Sequence, residues 1–557
     1  MNDYKTLTPA ISVAGQLQPE DMKALAEAGF HTVINNRPDG EGEDQPTSDA
    51  LAGAAAEAGL QYHYLPIIPG EISDEQIQRF GQLLTDNRAP VMAFCRTGNR
   101  SSTLWALSQS SRLDPQTVLA TTSAAGYDLE KQRPRLEQRW QQGQNADAAR
   151  RSPANDWDVL IIGGGAGGLA AAASLLKRRP SLNVAVVEPR DTHYYQPAWT
   201  LVGAGAFRRR DTARPMTQVM PRGSKWIRAR VAGFDPERNQ VILDDGDRLG
   251  YRALIVAPGL ELNLDAVEGL RDSLGHNGVT SNYLFEHAPY TWECVQNLKH
   301  GRALFTQPPM PIKCAGAPQK ALYLSCHHWE QRGVLKNIDV HFHNAGEALF
   351  GVADFVPPLM EYIRRYNATL NFRSTLQAVD AGHRKAWFVD RDQDGNARER
   401  EESFDLLHVT PPQKAPAFVA DSPLANNAGW VDLDPASLQH PRFTNVFALG
   451  DVAGTSNAKT AAAVRKQAPV LAENLLSVLD GRSPGAAYDG YGACPLTVEK
   501  GKVILAEFGY QGVLQPTFPL APTQARSLYW WLKAKAMPRI YFDLMLKGHE
   551  WLTGPAK

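Results

Sequence analysis

The chain has 557 residues, 43% of them hydrophobic, a formal net charge of −1 and five cysteines. That length predicts more than one domain, and that apolar content excludes wholesale disorder. The near-neutral balance excludes bulk attraction to nucleic acid, and an odd number of scattered cysteines argues for reduced thiols in a cytosolic setting. The first residues show no apolar core of a secretory signal, and no run is long and apolar enough to span a bilayer.

Residues 1–140 read as a separate α/β unit. His31–Asn35 is a short strand followed by an R-P-D-G turn, Ser48–Gly59 an Ala-rich helix, and Tyr62–Ile68 a second strand. Ser73–Leu84 is a helix opened by Ser73 and Gln76 as a capping box. Pro90–Phe94 is a third strand that runs into C-R-T-G-N-R-S-S, Cys95 to Ser102, and then into a helix at Leu104. A cysteine in that loop is a chemical position. Loop N–H groups and the helix dipole stabilise a thiolate, and Arg96 and Arg100 add positive charge.

Two families share this design, the cysteine phosphatases and the rhodanese-type sulfurtransferases. Phosphatases need C-x5-R to surround a tetrahedral phosphate. Here Cys95 to Arg100 is C-x4-R, and the shorter ring resembles a rhodanese loop that holds a persulfide. The wider segment, with N-N-R-P-D-G near Asn35, resembles small phosphatase-like domains fused to sulfur-oxidation enzymes. Sulfur transfer at Cys95 is the favoured reading and phosphate hydrolysis the alternative. From Arg139 to Asp156 the chain is polar and lacks an apolar period, so residues 141–155 read as a linker.

Residues 156–522 read as the main domain. Val159–Ile162 is an apolar β-branched run typical of a buried parallel strand. Gly163, Gly165 and Gly168 follow as G-x-G-x-x-G, and Leu169–Arg179 has helical character. The first glycine allows the tight turn, the second lets backbone approach a pyrophosphate, and the third lets helix pack on strand. The phosphates belong at the helix N-terminus. A second strand, Asn183–Val187, ends in Glu188, where a ribose-binding carboxylate belongs. His193–Ala206, with Gln196 within it, is too apolar for a solvated loop and is expected to line the cofactor. Trp226–Val231 and Gln240–Leu243 alternate like strands of a small sheet, with Val231 assigned to the cofactor. Ala253–Gly259 is a buried strand ending in a Pro-Gly turn that brings Ala257 and Gly259 to the same site.

A second nucleotide unit is expected near Ala303. Where a nicotinamide reductase would place its glycine loop, this chain has Q-P-P-M-P-I-K-C-A-G-A-P-Q-K, and prolines cannot offer N–H groups to a pyrophosphate. Strand Ile338–Phe342 ends at Asn344 without a ribose acid. NAD(P)H binding is therefore expected to be lost. Cys314 in that loop is the expected donor side for the flavin, with Lys313 favouring its thiolate. Asn445–Asp451 is a strand ending in Gly450-Asp451. Ala458–Val464, with Lys459 and Thr460, starts a helix whose N-terminus can face the flavin.

These segments resemble the mitochondrial-type sulfide:quinone oxidoreductases, in order and nearly ungapped from about Asp156 onward. H-Y-Y-Q-P-A-W-T-L-V-G-A-G, P-I-K-C-A-G-A-P-Q-K, H-V-T-P-P, N-V-F-A-L-G-D, K-T-A-A-A-V, Y-D-G-Y and V-I-L-A-E-F carry the resemblance. It implies FAD, a Cys314 persulfide formed from sulfide or a related sulfur species, and electrons passed to a membrane quinone. It also implies a second redox cysteine, sought directly after Gly-Asp, where this chain has Val452. Cys494 fits that pattern as a structural residue, and Cys326 reads as a buried small hydrophobe.

Residues 523–557 read as a membrane-interface and quinone segment. Leu528, Trp531 and Leu532, then Tyr541, Leu544 and Met545, recur at helical spacing, flanked by aromatic and basic residues, with Pro538 breaking the run into two short helices. The fold expected is a phosphatase/rhodanese-like α/β domain followed by tandem Rossmann-like units of a flavoprotein with C-terminal amphipathic helices. The expected setting is cytoplasmic and peripheral to a membrane. No metal ligands are assigned. The rival reading is a regulatory phosphatase fused to a flavoprotein with altered or lost turnover.

Overall fold

The computed structural model describes residues 4–87, 90–111, 113–150 and 156–550. It divides into two compact units, Met1–Ala154 and Asn155–Lys557.

The first unit is built on a five-stranded sheet ordered Lys5–Thr8, Ile11–Ala14, Val91–Phe94, Thr32–Asn35, Gln61–Tyr64. Only the first pair is antiparallel; the rest run parallel. Val91–Phe94 lies in the middle and is buried along its whole length, as its apolar run requires. Apolar clusters cover the sheet on both faces. The Ser73/Gln76 capping box forms as expected. The polar stretch after Arg139 departs from expectation. A helix spans Arg133–Arg150 and so covers most of it; helix there needs no apolar stripe, because Gln, Ala and Arg are good helix formers. Residues 151–155 lie outside the described residues.

The second unit holds a seven-stranded sheet. Ser224–Ile227, Val184–Val187, Asp156–Ile162 and Arg248–Val256 run side by side in parallel, and Val446–Ala448 extends the parallel set beyond Arg248–Val256. Two antiparallel strands, Gln240–Leu243 and Val231–Asp235, complete it. The expected strand at Trp226–Val231 is thus divided. Trp226 and Ile227 join the parallel sheet and Val231 starts the antiparallel pair, with a tight turn between them where Ala229 N–H donates to Ile227 O.

A second, five-stranded parallel sheet follows, ordered Val279–Thr280, Leu406–His408, Gly301–Gln307, Ile338–Asn344, Thr369–Phe372. This is the second Rossmann-like unit. A three-stranded antiparallel sheet, Ser374–Asp380, Lys385–Arg391 and Ala397–Ser403, packs beside it. The hairpin Gly492–Glu499 and Lys502–Phe508 lies against the helix Ala317–Gln331.

Pro538 does not split the C-terminal run. Helical backbone continues from Ser527 to Lys547, with wider turns over Leu532–Ala536 and Ile540–Leu544 on either side of Met537–Arg539. Wider turns release the carbonyl that a proline ring would otherwise strike. Tyr541, Met545 and Leu546 are buried in the core of the first Rossmann-like unit, whereas Leu528 and Trp531 stay exposed. No helix among the described residues is long and apolar enough to cross a membrane.

Candidate active site

The glycine loop forms the floor of the site. Gly163 turns the chain from strand Asp156–Ile162 at φ +103°, and a Cβ there would lie 2.4 Å from Ala257 O. Gly165 caps the helix Ala166–Arg178, leaving its first N–H groups free for phosphate. Gly168 packs helix on strand; a Cβ there would lie 1.9 Å from Gly163 O. The Glu188 carboxylate accepts from Gly164 N–H at 2.8 Å and from Arg190 N–H at 2.9 Å, which holds it at the strand end.

These residues open onto a cavity of about 550 Å³. Gly163, Gly165, Glu188 and Gln196 line it from the first half of the unit, as do Val231, Ala257 and Gly259. Gly450, Asp451, Lys459 and Thr460 line it from the second, together with Lys313 and Cys314. Gly168 stays behind the wall, consistent with its packing role. Thr460 caps the helix Ala461–Leu479 by accepting from Ala463 N–H. Lys459 Nζ donates to Asp451 O at 2.6 Å and to Ala453 O at 2.9 Å and sits 4.2 Å over the Trp430 ring. Burial pushes the Lys459 ammonium down to about 8 and the Asp451 carboxyl up, with Lys313 and Lys459 opposing the second shift.

FAD fits this cavity by its chemistry. It offers a close-approach glycine loop at a helix start, a carboxylate at the next strand end and a second helix N-terminus. Asn282 lines the cavity with both amide atoms buried and unpaired, ready for a polar ligand.

Cys314 stands between strand Gly301–Gln307 and helix Ala317–Gln331, at φ +51°, a left-handed backbone that costs a β-carbon residue energy and marks a constrained site. Its N–H donates to Lys459 O at 2.9 Å, tying this loop to the Gly450 side. Its Sγ lies 3.7 Å from Cys494 Sγ, on strand Gly492–Glu499. The approach needs Gly316, where a Cβ would lie 2.5 Å from Cys494 Sγ. Cys494, read from the sequence as a structural residue, thus stands beside Cys314. Val452 is fully buried in an apolar cluster, so the position after Gly-Asp is a packing position here. Cys326 is buried among apolar neighbours, and burial pushes its thiol up, as suits a small hydrophobe.

The cation at the thiol is also not the one expected. Lys313 Nζ donates to Gln196 Oε1 at 2.6 Å and lies over the rings of Trp199 and Tyr283, each at 5.7 Å. Lys320, one turn into the helix, donates to Cys314 Sγ at 3.0 Å. Cys314 is held well below the ordinary thiol range by the Cys494 hydrogen bond, against burial, and by the Lys320 charge; Cys494 is raised correspondingly. Burial opposes the charge on Lys320, but Cys314 and Cys494 together outweigh it and raise the ammonium. Lys533, from the C-terminal run, donates to Pro495 O at 3.1 Å and is pushed down to about 7 by burial and then by Lys320. Leu532, Met537 and Ile540 line the same cavity beside it. Lys320 was open to sequence reading, as a lysine inside an otherwise apolar helix face. Cys494 was not, because 180 residues separate it from Cys314.

In the first unit, Cys95 is buried at the end of the central strand, and Gly98 caps the helix Asn99–Gln109 from the left-handed region. The Tyr127 phenol covers the loop: a Cβ on Gly98 would meet its oxygen, and burial followed by the Cys95 charge pushes it up. Arg96 is exposed. Arg100 donates to Glu41 Oε2 and Ile67 O, each at 2.8 Å, and Arg37 donates to the same Glu41 oxygen at 2.7 Å. Of the positive charge expected at Cys95, that of Arg100 is thus engaged by Glu41, whose carboxyl the Arg100 hydrogen bond holds below its usual range.

Two family models match the chain. Residues 3–112 match the beta-lactamase hydrolase-like protein, phosphatase-like domain, and residues 157–291 match pyridine nucleotide-disulphide oxidoreductase. Over 121 residues the chain is 35% identical to a beta-lactamase hydrolase-like protein of Xylella fastidiosa, covering 28% of that protein. The solved sulfide:quinone oxidoreductase of Aquifex aeolicus shares the fold, with a TM-score of 0.60, 20% identity, and coverage of 70% of this chain and 92% of that one. Mitochondrial sulfide:quinone oxidoreductase of Mus musculus is 39% identical over 402 residues, 72% of this chain and 88% of the mouse protein. Nothing in these likenesses supports a cytoplasmic setting. With a relative of that identity spanned over most of its length, and its cysteine pair set beside a dinucleotide cavity, the chain belongs to the sulfide:quinone oxidoreductase family.

Proposed function

We propose that this chain oxidises sulfide at the Cys314–Cys494 pair and delivers the electron pair to a quinone, with FAD as its cofactor. The carrying observation is the 3.7 Å approach of the two sulfurs, with Lys320 Nζ 3.0 Å from one of them, beside the cavity built by the glycine loop.

In its oxidised form the pair is a disulfide, whose bond of about 2.05 Å needs only a short closure from the present separation. Hydrosulfide attacks one sulfur, the S–S bond breaks, and the other cysteine leaves as a thiolate. The better leaving group is the sulfur with the lower pKa. Cys314 is that sulfur, because the Lys320 ammonium at 3.0 Å stabilises its thiolate. The persulfide therefore forms on Cys494 rather than on Cys314. A nucleophilic acceptor then takes the outer sulfur, leaving a Cys314–Cys494 dithiol that holds the two electrons removed from sulfide. FAD supplies the two-electron step that returns the pair to the disulfide and reduces the quinone. Lys533 stands between the pair and the apolar wall of Leu532, Met537 and Ile540, where it can hold or give up a proton during turnover. The test is anaerobic flavin bleaching by sulfide followed by reoxidation with a soluble quinone; no bleaching by sulfide would sink the reading.

Two finer readings accompany it. Cys95 transfers sulfane sulfur, the reading favoured by the C-x4-R spacing. Thiocyanate formation from thiosulfate and cyanide, lost in Cys95→Ser, is its test; efficient aryl phosphate hydrolysis without sulfur transfer would replace it by the phosphatase reading. The C-terminal run meets a membrane surface through Leu528 and Trp531, 54% and 58% exposed.

A further inference from the structure

Away from the cavity, strand Ile338–Asn344 presents His341 and His343, two residues apart and so on one face. They look toward the three-stranded sheet, where Glu402 lies on strand Ala397–Ser403. One ring nitrogen from each histidine and a Glu402 oxygen lie within 4.8 Å of one another. None of the three lines the flavin cavity.

Two of the three, His343 and Glu402, are buried with an unpartnered atom each. His343 is 0% exposed, and its Nε2 has no hydrogen-bond partner. Glu402 is 6% exposed, and its Oε2 also has none. His343 Nε2 and Glu402 Oε1 are 3.6 Å apart, too far for a hydrogen bond. Two ligands about 2.0–2.2 Å from one tetrahedral ion stand roughly 3.3–3.6 Å apart. The spacing suits a shared ion better than a shared proton.

The surroundings orient both imidazoles. His341 Nε2 lies 3.0 Å from Asp339 Oδ1, and His343 Nδ1 lies 2.9 Å from Ser374 Oγ. Ring nitrogens turned to a carboxylate and a hydroxyl leave His343 Nε2 free for a metal and His341 Nδ1 with only the 3.4 Å contact from Asn371 Nδ2. Phe388 stacks on His343 at 3.8 Å and fixes its plane. Weaker contacts at 3.4 Å come from Asn371 Nδ2 to His341 Nδ1 and from Arg400 to His343 Nδ1.

Two guanidiniums also approach Glu402, Arg400 at 3.2 Å and Arg302 at 3.6 Å. Each has its own aspartate: Arg302 pairs with Asp339 at 2.8 Å and Arg400 with Asp390 at 3.0 Å. Three carboxylates thus face two guanidiniums, leaving residual negative charge at the cluster. We propose that His341, His343 and Glu402 form a site for a divalent transition ion of the zinc class, with an open position on the half-exposed Asp339 side. A bound ion would tie the five-stranded sheet to the three-stranded one.

The test uses the full chain without a histidine tag, carrying Cys314→Ser and Cys494→Ser so that the dithiol cannot hold zinc. It is stripped with a chelator, loaded with Zn2+ alone, desalted, and assayed for zinc, FAD content and thermal midpoint. Roughly one zinc per chain and a raised midpoint are expected. Glu402→Gln and His343→Ala should each weaken binding by at least about tenfold at unchanged FAD content. If His343→Ala loses FAD, His341→Asn on the partly exposed ring takes its place. Zinc that never binds the chain lacking Cys314 and Cys494, or that binds regardless of these substitutions, overturns the proposal.

Discussion

Cys95 and Cys314 occupy similar places in two different units. Each follows a buried parallel strand and precedes a helix, in a loop with basic residues close by in sequence. Their surroundings differ. The arginine that closes C-x4-R, Arg100, is held by Glu41 and a backbone carbonyl. Cys314 has a second sulfur at 3.7 Å, an ammonium at 3.0 Å and an open cavity. Local motif makes a cysteine available in both; long-range neighbours bring a second sulfur and an ammonium to one of them, which we propose as half of a redox pair.

The sharpest break of this comparison is removal of either sulfur. Cys314→Ser and Cys494→Ser should each slow flavin bleaching by sulfide by roughly a thousandfold or more, since a disulfide acts as a unit. Cys326→Ser should change it little. Stopped-flow absorbance decides, and a dead Cys326→Ser beside an active Cys494→Ser would reassign the pair.

Next comes the charge. Lys320→Gln removes a cation that holds Cys314 below the ordinary thiol range, so its pKa should rise. The thiolate is lost as pH falls through that pKa, so the acid limb of the bleaching rate should move to higher pH. Each unit of movement costs about tenfold in thiolate below it. Lys313→Gln should leave that limb in place, because Lys313 faces Gln196. An equal shift in both variants would mean a general field rather than a direct bond.

Cys95→Ser should abolish thiocyanate formation while flavin bleaching by sulfide persists and steady turnover slows severalfold. Tethering two sites on one chain gives effective concentrations of about a millimolar, enough for sulfur handover through brief encounters or a small carrier. Glu41→Gln should free Arg100 and make the Cys95 reaction more sensitive to inhibition by phosphate. Unchanged inhibition would show that Glu41 does not compete for that arginine.

The smallest effect is expected at the surface. Leu528→Ser with Trp531→Ser should reduce sedimentation with anionic vesicles severalfold at unchanged FAD content, since both side chains are exposed. Ending the chain at Thr523 is a poorer test, because Tyr541, Met545 and Leu546 belong to the core.

The first Rossmann-like unit was legible in order. Strand periodicity, the glycine spacing and Glu188 each act over a few residues, and a local rule can find them. Cys95 was legible for the same reason, and Cys314 through its segment. The C-terminal run shows the limit of a local rule. Pro538 predicts a break, but packing of Tyr541 and Leu546 into the core keeps the helix going through widened turns.

The sequence by itself determined which segments could bind a dinucleotide, which cysteines stood at reactive loop positions, and that prolines stand in the loop after Gly301–Gln307. Tertiary structure alone decided that Cys494 meets Cys314, that Lys320 rather than Lys313 serves the thiol, that Glu41 holds Arg100, and that His341 and His343 face Glu402. Each of these is a contact between side chains set by how elements pack across the fold. No spacing along the chain encodes such a contact, because the distance that matters to a charge or a sulfur is measured through space.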